Sequence, residues 1–375
     1  MSAPTAAETV PYFALDREFD ALREPVLERI EQVLRSGRLL QGPWLQELER
    51  ALASLTGRRH AVAVNSCTDA LYFAFVALGI GPGDEVLVPD FSFAATASSV
   101  LRTGATPVYA DIGENYELDL GHAAALVSGQ TKALVYVDLY GRMGDAPALE
   151  RFVEEHGLVL VEDAAQTLGG VRDGRAAGSV GVVSCFSFDP TKVVSAPGSG
   201  GALLTDDDEV ARVARTLSRH GKSPGGVFER VGQNAQMSEI VAAVLTLKLR
   251  HEETWLRARQ AAAAAYRRAL APLAALAPEQ PVDREHVFHK YVIRVGDRDA
   301  VRAALAERGI ATLVHYGTQL SALPFAAAAP HRGGGARAAR FAREVLSLPI
   351  HSQLREGEIE RVCDALAEAI PPQGA

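Results

Sequence analysis

The stretch ALVYVDLYGRMGDAPALERFVEEHGLVLVEDAAQ, residues 133–166, decides the fold. An apolar, β-branched run over residues 133–139 is followed by turn residues and then by helical spacing over residues 145–156. A second apolar run, residues 158–162, leads into Glu162-Asp163-Ala164-Ala165-Gln166. Strand, helix and strand in this order predict two parallel strands bridged by a covering helix. The alternation continues outward over residues 60–205. Further strands are predicted at residues 60–64, 85–88, 106–110, 182–188 and 202–204, and helices at 69–78, 94–101, 118–127 and 208–217. The fold class is therefore α/β, with a mostly parallel central sheet sandwiched by helices. Ligands of such sheets bind outside the carboxyl ends of the strands, so the loops there are where chemistry is expected.

Downstream the pattern changes. Residues 237–270 read as one long Ala/Leu/Arg-rich helical stretch, broken at most once, with Pro272 marking its end. Residues 287–295 read as a strand, 299–308 as a helix, 312–315 as a short strand and 357–369 as a terminal helix. Residues 325–340 are Ala/Gly/Arg-rich and weakly patterned, which predicts a mobile loop. The expected division is an N-terminal segment (1–30) packing with the small domain, a large ligand-binding domain (31–245) and a smaller C-terminal α/β domain (246–375).

Composition bounds the function. With 48% hydrophobic and 22% charged residues, the chain can bury a large core. Its net charge of −8 and interspersed charges give no footprint for nucleic acid or an anionic membrane. Cys67, Cys185 and Cys363 have neither metal-ligand nor disulfide spacing, and no metal is expected. Residues 1–10 lack the pattern of a signal peptide, and apolar runs fall short of the roughly 18 residues a membrane span needs. The expected location is the cytoplasm.

Lys192 is one of five lysines. It follows the apolar run 182–188 in Phe186-Ser187-Phe188-Asp189-Pro190-Thr191-Lys192, just before Gly198-Ser199-Gly200-Gly201. Burial there pushes an amine towards its neutral, nucleophilic form. Asp163 ends the preceding apolar run. An amine for a Schiff base and a carboxylate for a ring nitrogen are what pyridoxal phosphate requires; a surface lysine and a helix-capping aspartate are the plain alternatives. After the first strand, Asn65-Ser66-Cys67-Thr68 opens a helix. Its free amides suit a phosphate, or Ser66 or Thr68 is an ordinary cap. Phe93 is placed to stack on a flat ring or to fill the core. Gln166 is one helical turn beyond Asp163, within reach of the ring's phenolic oxygen. Ser187 is five residues before Lys192, so the turn at Pro190 must re-aim the chain for both to meet one ligand.

These residues stand in a longer set of ordered motifs. They include Gly79-Ile80-Gly81-Pro82-Gly83-Asp84-Glu85-Val86, Gly104-Ala105-Thr106-Pro107-Val108, Tyr140-Gly141, Gly232-Gln233-Asn234 before Ser238-Glu239-Ile240, and Leu348-Pro349-Ile350-His351. Over nearly its whole length the chain resembles the fold-type I pyridoxal-phosphate enzymes of the DegT/DnrJ/EryC1/StrS nucleotide-sugar aminotransferase family. The resemblance implies that Lys192 carries the cofactor as a Schiff base, Asp163 pairs with the pyridinium nitrogen, Gln166 contacts the ring oxygen and Phe93 lies against the ring. It implies that backbone and hydroxyl groups of Cys67, Thr68 and Ser187 hold the phosphate, with Ser66 a cofactor-binding candidate from the same turn. It also implies that Asn234 reaches the phosphate of a neighbouring subunit, giving a homodimer with active sites at the interface. His315 and Tyr316 match a segment near the sugar, and His289 and His351 are expected to be structural. Three positions depart from the family: Cys67 stands where Gly is usual, Ser199 where Glu is usual, and Gln236 where Arg is usual.

The implied reaction is ping-pong transamination. An amino acid, glutamate or glutamine, leaves its amino group as pyridoxamine phosphate, and a 3-keto or 4-keto sugar on a nucleotide accepts it. A ketocyclitol acceptor or a cofactor-dependent sugar dehydratase is the alternative; family dehydratases typically replace the lysine with His. A nicotinamide-dependent oxidoreductase would need Gly-x-Gly-x-x-Gly after an early strand, where this chain has Asn65-Ser66-Cys67-Thr68. A non-catalytic regulatory role predicts a colourless protein.

Overall fold

The computed structural model describes residues 9–271 and 282–370. Residues 1–8 and Pro272, on which expectations were placed, lie outside them. In chain order the elements are α1 (Leu15–Ser36), α2 (Pro43–Thr56), β1 (His60–Val64), α3 (Cys67–Ala77), β2 (Glu85–Pro89), α4 (Ala94–Arg102), β3 (Thr106–Ala110), α5 (Leu120–Leu126) and β4 (Thr131–Val137). There follow α6 (Ala146–His156), β5 (Val159–Asp163), the short β6 (Val171–Arg172) and β7 (Arg175–Ala176), β8 (Val183–Ser187), β9 (Gly201–Thr205) and α7 (Asp208–Ser218). Then come α8 (Glu239–Leu249), α9 (Glu252–Ala269), β10 (Tyr291–Arg294), α10 (Arg298–Glu307), α11 (Pro324–Ala327), β11 (Arg332–Gly333), α12 (Ala336–Glu344), β12 (Val345–Leu348) and α13 (Glu358–Ala369).

The large sheet has the order β1-β9-β8-β5-β4-β2-β3-β11. Strands β8, β5, β4, β2, β3 and β11 run parallel, while β9 pairs antiparallel with both β1 and β8. Its strands read as near-continuous apolar runs because both faces are covered. On one face Val64, Val86, Val135 and Val161 pack against Phe73, Phe75 and Leu217; on the other Leu204 and Phe186 meet Leu48, Leu52 and Leu245. Truncating one such leucine to alanine costs about 2–5 kcal/mol.

Helix α8 is apolar almost all round because α1 and α2 cover it. Its first residue, Glu239, is fully buried and accepts the backbone N–H groups of Gly42 at 2.7 Å, Trp44 at 3.0 Å and Leu45 at 3.3 Å. One carboxylate thus satisfies the start of α2, where Pro43 needs no acceptor of its own. A separate core joins Val10, Tyr266, Ile293, Leu305, Leu346, Val362 and Leu366 around the two-stranded β10–β12 sheet. The N-terminal region touches both cores: Val10 bridges to Ile310 and Arg17 pairs with Glu358 at 2.8 Å, while Leu22 and Val26 pack with the large sheet's core.

Three sequence expectations change. The predicted strand over residues 287–295 shortens to β10, because Val287 and Lys290 donate their N–H groups to the carbonyls of Gly141 and Tyr140 after β4. The predicted strand over residues 312–315 reduces to a single bridge between Leu313 and Ser347. Residues 325–340, expected as a mobile loop, instead hold most of α11, the edge strand β11 and the start of α12. Their anchors are distant carboxylates. Asp90 accepts the N–H groups of Ser321 and Gly335, each at 2.7 Å, and Asp111 accepts those of Arg337 and Ala338, each at 2.9 Å. Glu85 binds the Arg332 guanidinium through two 2.7 Å bonds. Local pattern cannot reveal partners more than 220 residues away.

Candidate active site

At the carboxyl ends of β1, β2, β5 and β8 lies a cavity of about 390 Å³. Ser66, Cys67, Thr68, Phe93, Asp163, Gln166, Ser187, Lys192, His315 and Tyr316 all line it, and Asn234 does not. Asp163 is the last residue of β5 and is 5% exposed. Its Oδ2 accepts the hydroxyl of buried Thr96 at 2.9 Å, and its Oδ1 accepts the Ala165 N–H at 3.3 Å. Burial raises the Asp163 pKa, and these two bonds together with the Lys192 cation oppose the rise.

Strand β8 ends at Ser187, so Lys192 lies five residues beyond it. A turn returns the chain. Asp189 Oδ1 accepts the N–H and hydroxyl of Thr191 at 3.0 and 2.7 Å, and the Lys192 N–H bonds to the Asp189 carbonyl at 2.9 Å. The strand alternation that would separate Ser187 from Lys192 is thereby cancelled. Burial lowers the Lys192 pKa, against the pull of Cys67, Asp163 and Asp189. An amine that burial pushes towards its neutral form and a carboxylate whose anion Thr96, Ala165 and Lys192 favour against burial share one enclosed space.

Elsewhere on the cavity wall, Ser66 caps α3 by accepting the Asp69 N–H at 3.1 Å. Capping and cavity lining prove compatible. The cap leaves the first-turn N–H groups of Cys67 and Thr68 without a partner inside the helix, an arrangement that receives an anion well. Gln166 has its carbonyl oxygen fixed by the Tyr140 N–H at 2.8 Å, which orients its amide nitrogen towards the Tyr316 hydroxyl, 3.4 Å away. Phe93 is 57% exposed, its ring 6.1 Å from that of Tyr316. His315 shares a 2.9 Å hydrogen bond between Nδ1 and Ser347, and its carbonyl accepts the Tyr140 hydroxyl. Burial and the Lys290 and Lys192 cations push its pKa down to about 3, so the ring is neutral.

The donor set fits pyridoxal phosphate. Among the described residues, Lys192 offers an amine with no competing hydrogen bond, Asp163 a carboxylate already braced by Thr96, and α3 two amides without a partner. Among the described residues, no cluster of His, Cys, Asp or Glu could hold a metal ion, and no helix is long and apolar enough to cross a membrane.

Sequence reasoning missed part of the wall. His289, expected to be structural, also lines the cavity, its Nδ1 buried and without a partner among the described residues, and Lys290 lies beside it. His351 is buried, with Nε2 3.3 Å from the Pro11 carbonyl. Of the three departures, Cys67 and Ser199 line the cavity, whereas Gln236 bonds Gln41 at 2.7 Å and Asn234 at 3.3 Å outside it.

Comparison with known proteins agrees with this geometry. Residues 20–367 match the family model of the DegT/DnrJ/EryC1/StrS aminotransferases. A dTDP-3-amino-3,4,6-trideoxy-alpha-D-glucose transaminase of Streptomyces venezuelae is 40% identical over 371 residues, covering 98% of each chain. A UDP-N-acetyl-3-dehydro-alpha-D-glucosamine 3-aminotransferase of Acidithiobacillus ferrooxidans is 36% identical, covering 98% of this chain and 99% of its own. Among solved structures, S. venezuelae DesV in complex with a ketimine intermediate superposes with a TM-score of 0.92 at 40% identity, covering 96% of this chain and 98% of its own.

Proposed function

Because this chain belongs to the DegT/DnrJ/EryC1/StrS aminotransferase family, we propose that it transfers an amino group from glutamate or glutamine to a keto sugar carried on a nucleotide. A 3-keto sugar is the favoured acceptor, since both relatives above are named for amination at that position. The observation that carries the reading is the pairing of Lys192 with Thr96-braced Asp163 across one cavity.

Lys192 would attach pyridoxal phosphate covalently, Asp163 would hold its ring nitrogen protonated, and the amide of Gln166 would donate to its phenolic oxygen. Phe93 would cover one ring face. Ser66, Cys67, Thr68 and Ser187 would hold the phosphate. When bound, the cofactor supplies an electron sink and a carrier for the amino group. Lys192, whose pKa burial lowers, takes the proton from the donor's α-carbon and returns one in the second half of the cycle. Asp163 stays anionic throughout, which requires the Thr96 hydroxyl. His315 and Tyr316 face the acceptor sugar.

The proposal includes a homodimer with sites at the interface. Its support is the loop preceding Asn234, where Val227, Phe228 and Val231 are 62%, 67% and 96% exposed. Three apolar side chains exposed within one loop suit a surface that a partner covers. Mixing Lys192→Ala with Asn234→Ala subunits should then restore activity, because one site of the mixed dimer regains both native residues. The cytoplasm is the proposed compartment. The reaction is tested by supplying 3-keto and 4-keto nucleotide sugars with each amino donor and measuring amino-sugar product. Absence of product from every pairing would overturn the reading.

A further inference from the structure

Two of the chain's five lysines line the same cavity. The proposed function uses Lys192 and leaves Lys290 without a task. Lys290 is 3% exposed. Among the described residues, no hydrogen-bond acceptor and no carboxylate at ion-pair distance meets its ammonium, which rests 5.1 Å from the ring centre of Tyr12 and 4.7 Å from that of Phe13. Lys248 shows what a structural buried lysine does here. It pairs with Glu18 at 2.6 Å and donates to the Ser195 carbonyl and hydroxyl at 2.8 and 3.1 Å.

An ammonium removed from water without a counter-ion is costly, and aromatic rings repay only part of that cost. The carboxylates that line this wall, Asp163 and Asp189, already hold other donors. Asp163 is engaged by Thr96 and Ala165, and Asp189 by Thr191. Beside Lys290, the His289 Nδ1 is also buried and unpaired. Both residues are fixed in place by the N–H bonds of Val287 and Lys290 to Gly141 and Tyr140.

We infer that Lys290 anchors a carboxylate of the substrate that reacts in this cavity, with His289 as its neighbour on the same wall. The inference rests on the amino-transfer reading of the site and names how that substrate is held. The carboxylate belongs either to the amino-acid donor or to the acceptor sugar. A singly charged ammonium beside two aromatic rings suits one carboxylate, while the amides of Cys67 and Thr68 serve the phosphate. Burial, followed by repulsion from Lys192 and Arg259, lowers the Lys290 pKa well below its usual value, against a smaller pull from Asp189. An arriving anion supplies the charge that the fold withholds.

The test compares holoenzyme carrying Lys290→Met or Lys290→Arg with wild type. Replacing an unpaired buried cation by an apolar side chain of similar volume should leave folding intact. Calorimetric binding of glutarate, an unreactive dicarboxylate, should weaken about 10- to 100-fold in Lys290→Met and recover in Lys290→Arg. The rate-saturating donor concentration should rise by a similar factor while the maximal half-reaction rate holds. Weakening confined to the second half-reaction, with a uronate acceptor, would assign the carboxylate to the sugar. Unchanged glutarate binding and unchanged half-reactions in Lys290→Met would overturn the inference. Should wild-type protein lack the absorption of lysine-bound cofactor, the reading of the site fails instead.

Discussion

Replacing Thr96 by Val tests the link between the buried carboxylate and catalysis. Thr96 is fully buried on α4, and its hydroxyl stands 2.9 Å from Asp163 Oδ2 and 3.0 Å from Ser92 Oγ. Valine has nearly the same shape, so packing is retained and only the hydroxyl is lost. A buried hydrogen bond to a charged group contributes about 1.5–3 kcal/mol. The remaining donor to Asp163, the Ala165 N–H, is longer at 3.3 Å. Burial already raises the Asp163 pKa, so losing the hydroxyl moves it further up and disfavours the anion. If that anion keeps the ring nitrogen protonated, the full deficit appears in the barrier, a loss of about 10- to 150-fold in kcat. The acidic limb of the pH–rate profile should also move to higher pH. Steady-state kinetics across pH on Thr96→Val measures both effects, and Thr96→Ser, which keeps the hydroxyl, should largely restore them. A Thr96→Val enzyme with normal cofactor content, normal kcat and an unmoved profile would refute the role given to Asp163.

Other predictions concern the scaffold. Glu239→Ala strips the start of α2 of its acceptor for three N–H groups, and should lower stability by about 2–4 kcal/mol in denaturant titration; an unchanged midpoint would contradict that capping role. The Arg332 guanidinium, with Ser128 and Thr131, holds the Glu85 pKa below the usual carboxylate value. Its contribution is therefore fully present above the unfolded pKa and is lost as pH falls through the depressed folded value. The hydrogen-exchange protection factor at Gly334, whose N–H bonds to the Tyr109 carbonyl, should fall in that acid range, and Glu85→Gln should show the lowered protection at neutral pH. Asp163→Asn should leave cofactor-free protein as stable as wild type or more so, because it removes a buried carboxylate, while lowering kcat at least 100-fold. A destabilised cofactor-free Asp163→Asn protein would contradict the burial argument.

The sheet and the core of the site were legible in the sequence because both are local. Each strand is a short apolar run, and Asp163, Ser187 and the Ser66–Thr68 turn lie where such runs end. Lys192 needed one further step, the Asp189–Thr191 turn, which the sequence signals through Pro190 without giving its geometry. The far wall was not legible. His289 and Lys290 reach the cavity through backbone pairing with residues 140–141, and nothing within residues 286–290 encodes that partner. The same cause hid β11 and α12, whose anchors Glu85, Asp90 and Asp111 come from the other end of the chain. Asn234 lies outside the cavity of its own chain, and only the family resemblance pointed to it.

The central claim is that Lys192, and not the second lysine in the same cavity, carries the cofactor. Borohydride reduction of the purified holoenzyme, followed by peptide mapping, tests it directly. The account predicts a phosphopyridoxyl label on Lys192 alone, and a colourless, inactive Lys192→Ala protein. A label on Lys290, or turnover retained by Lys192→Ala, would contradict it.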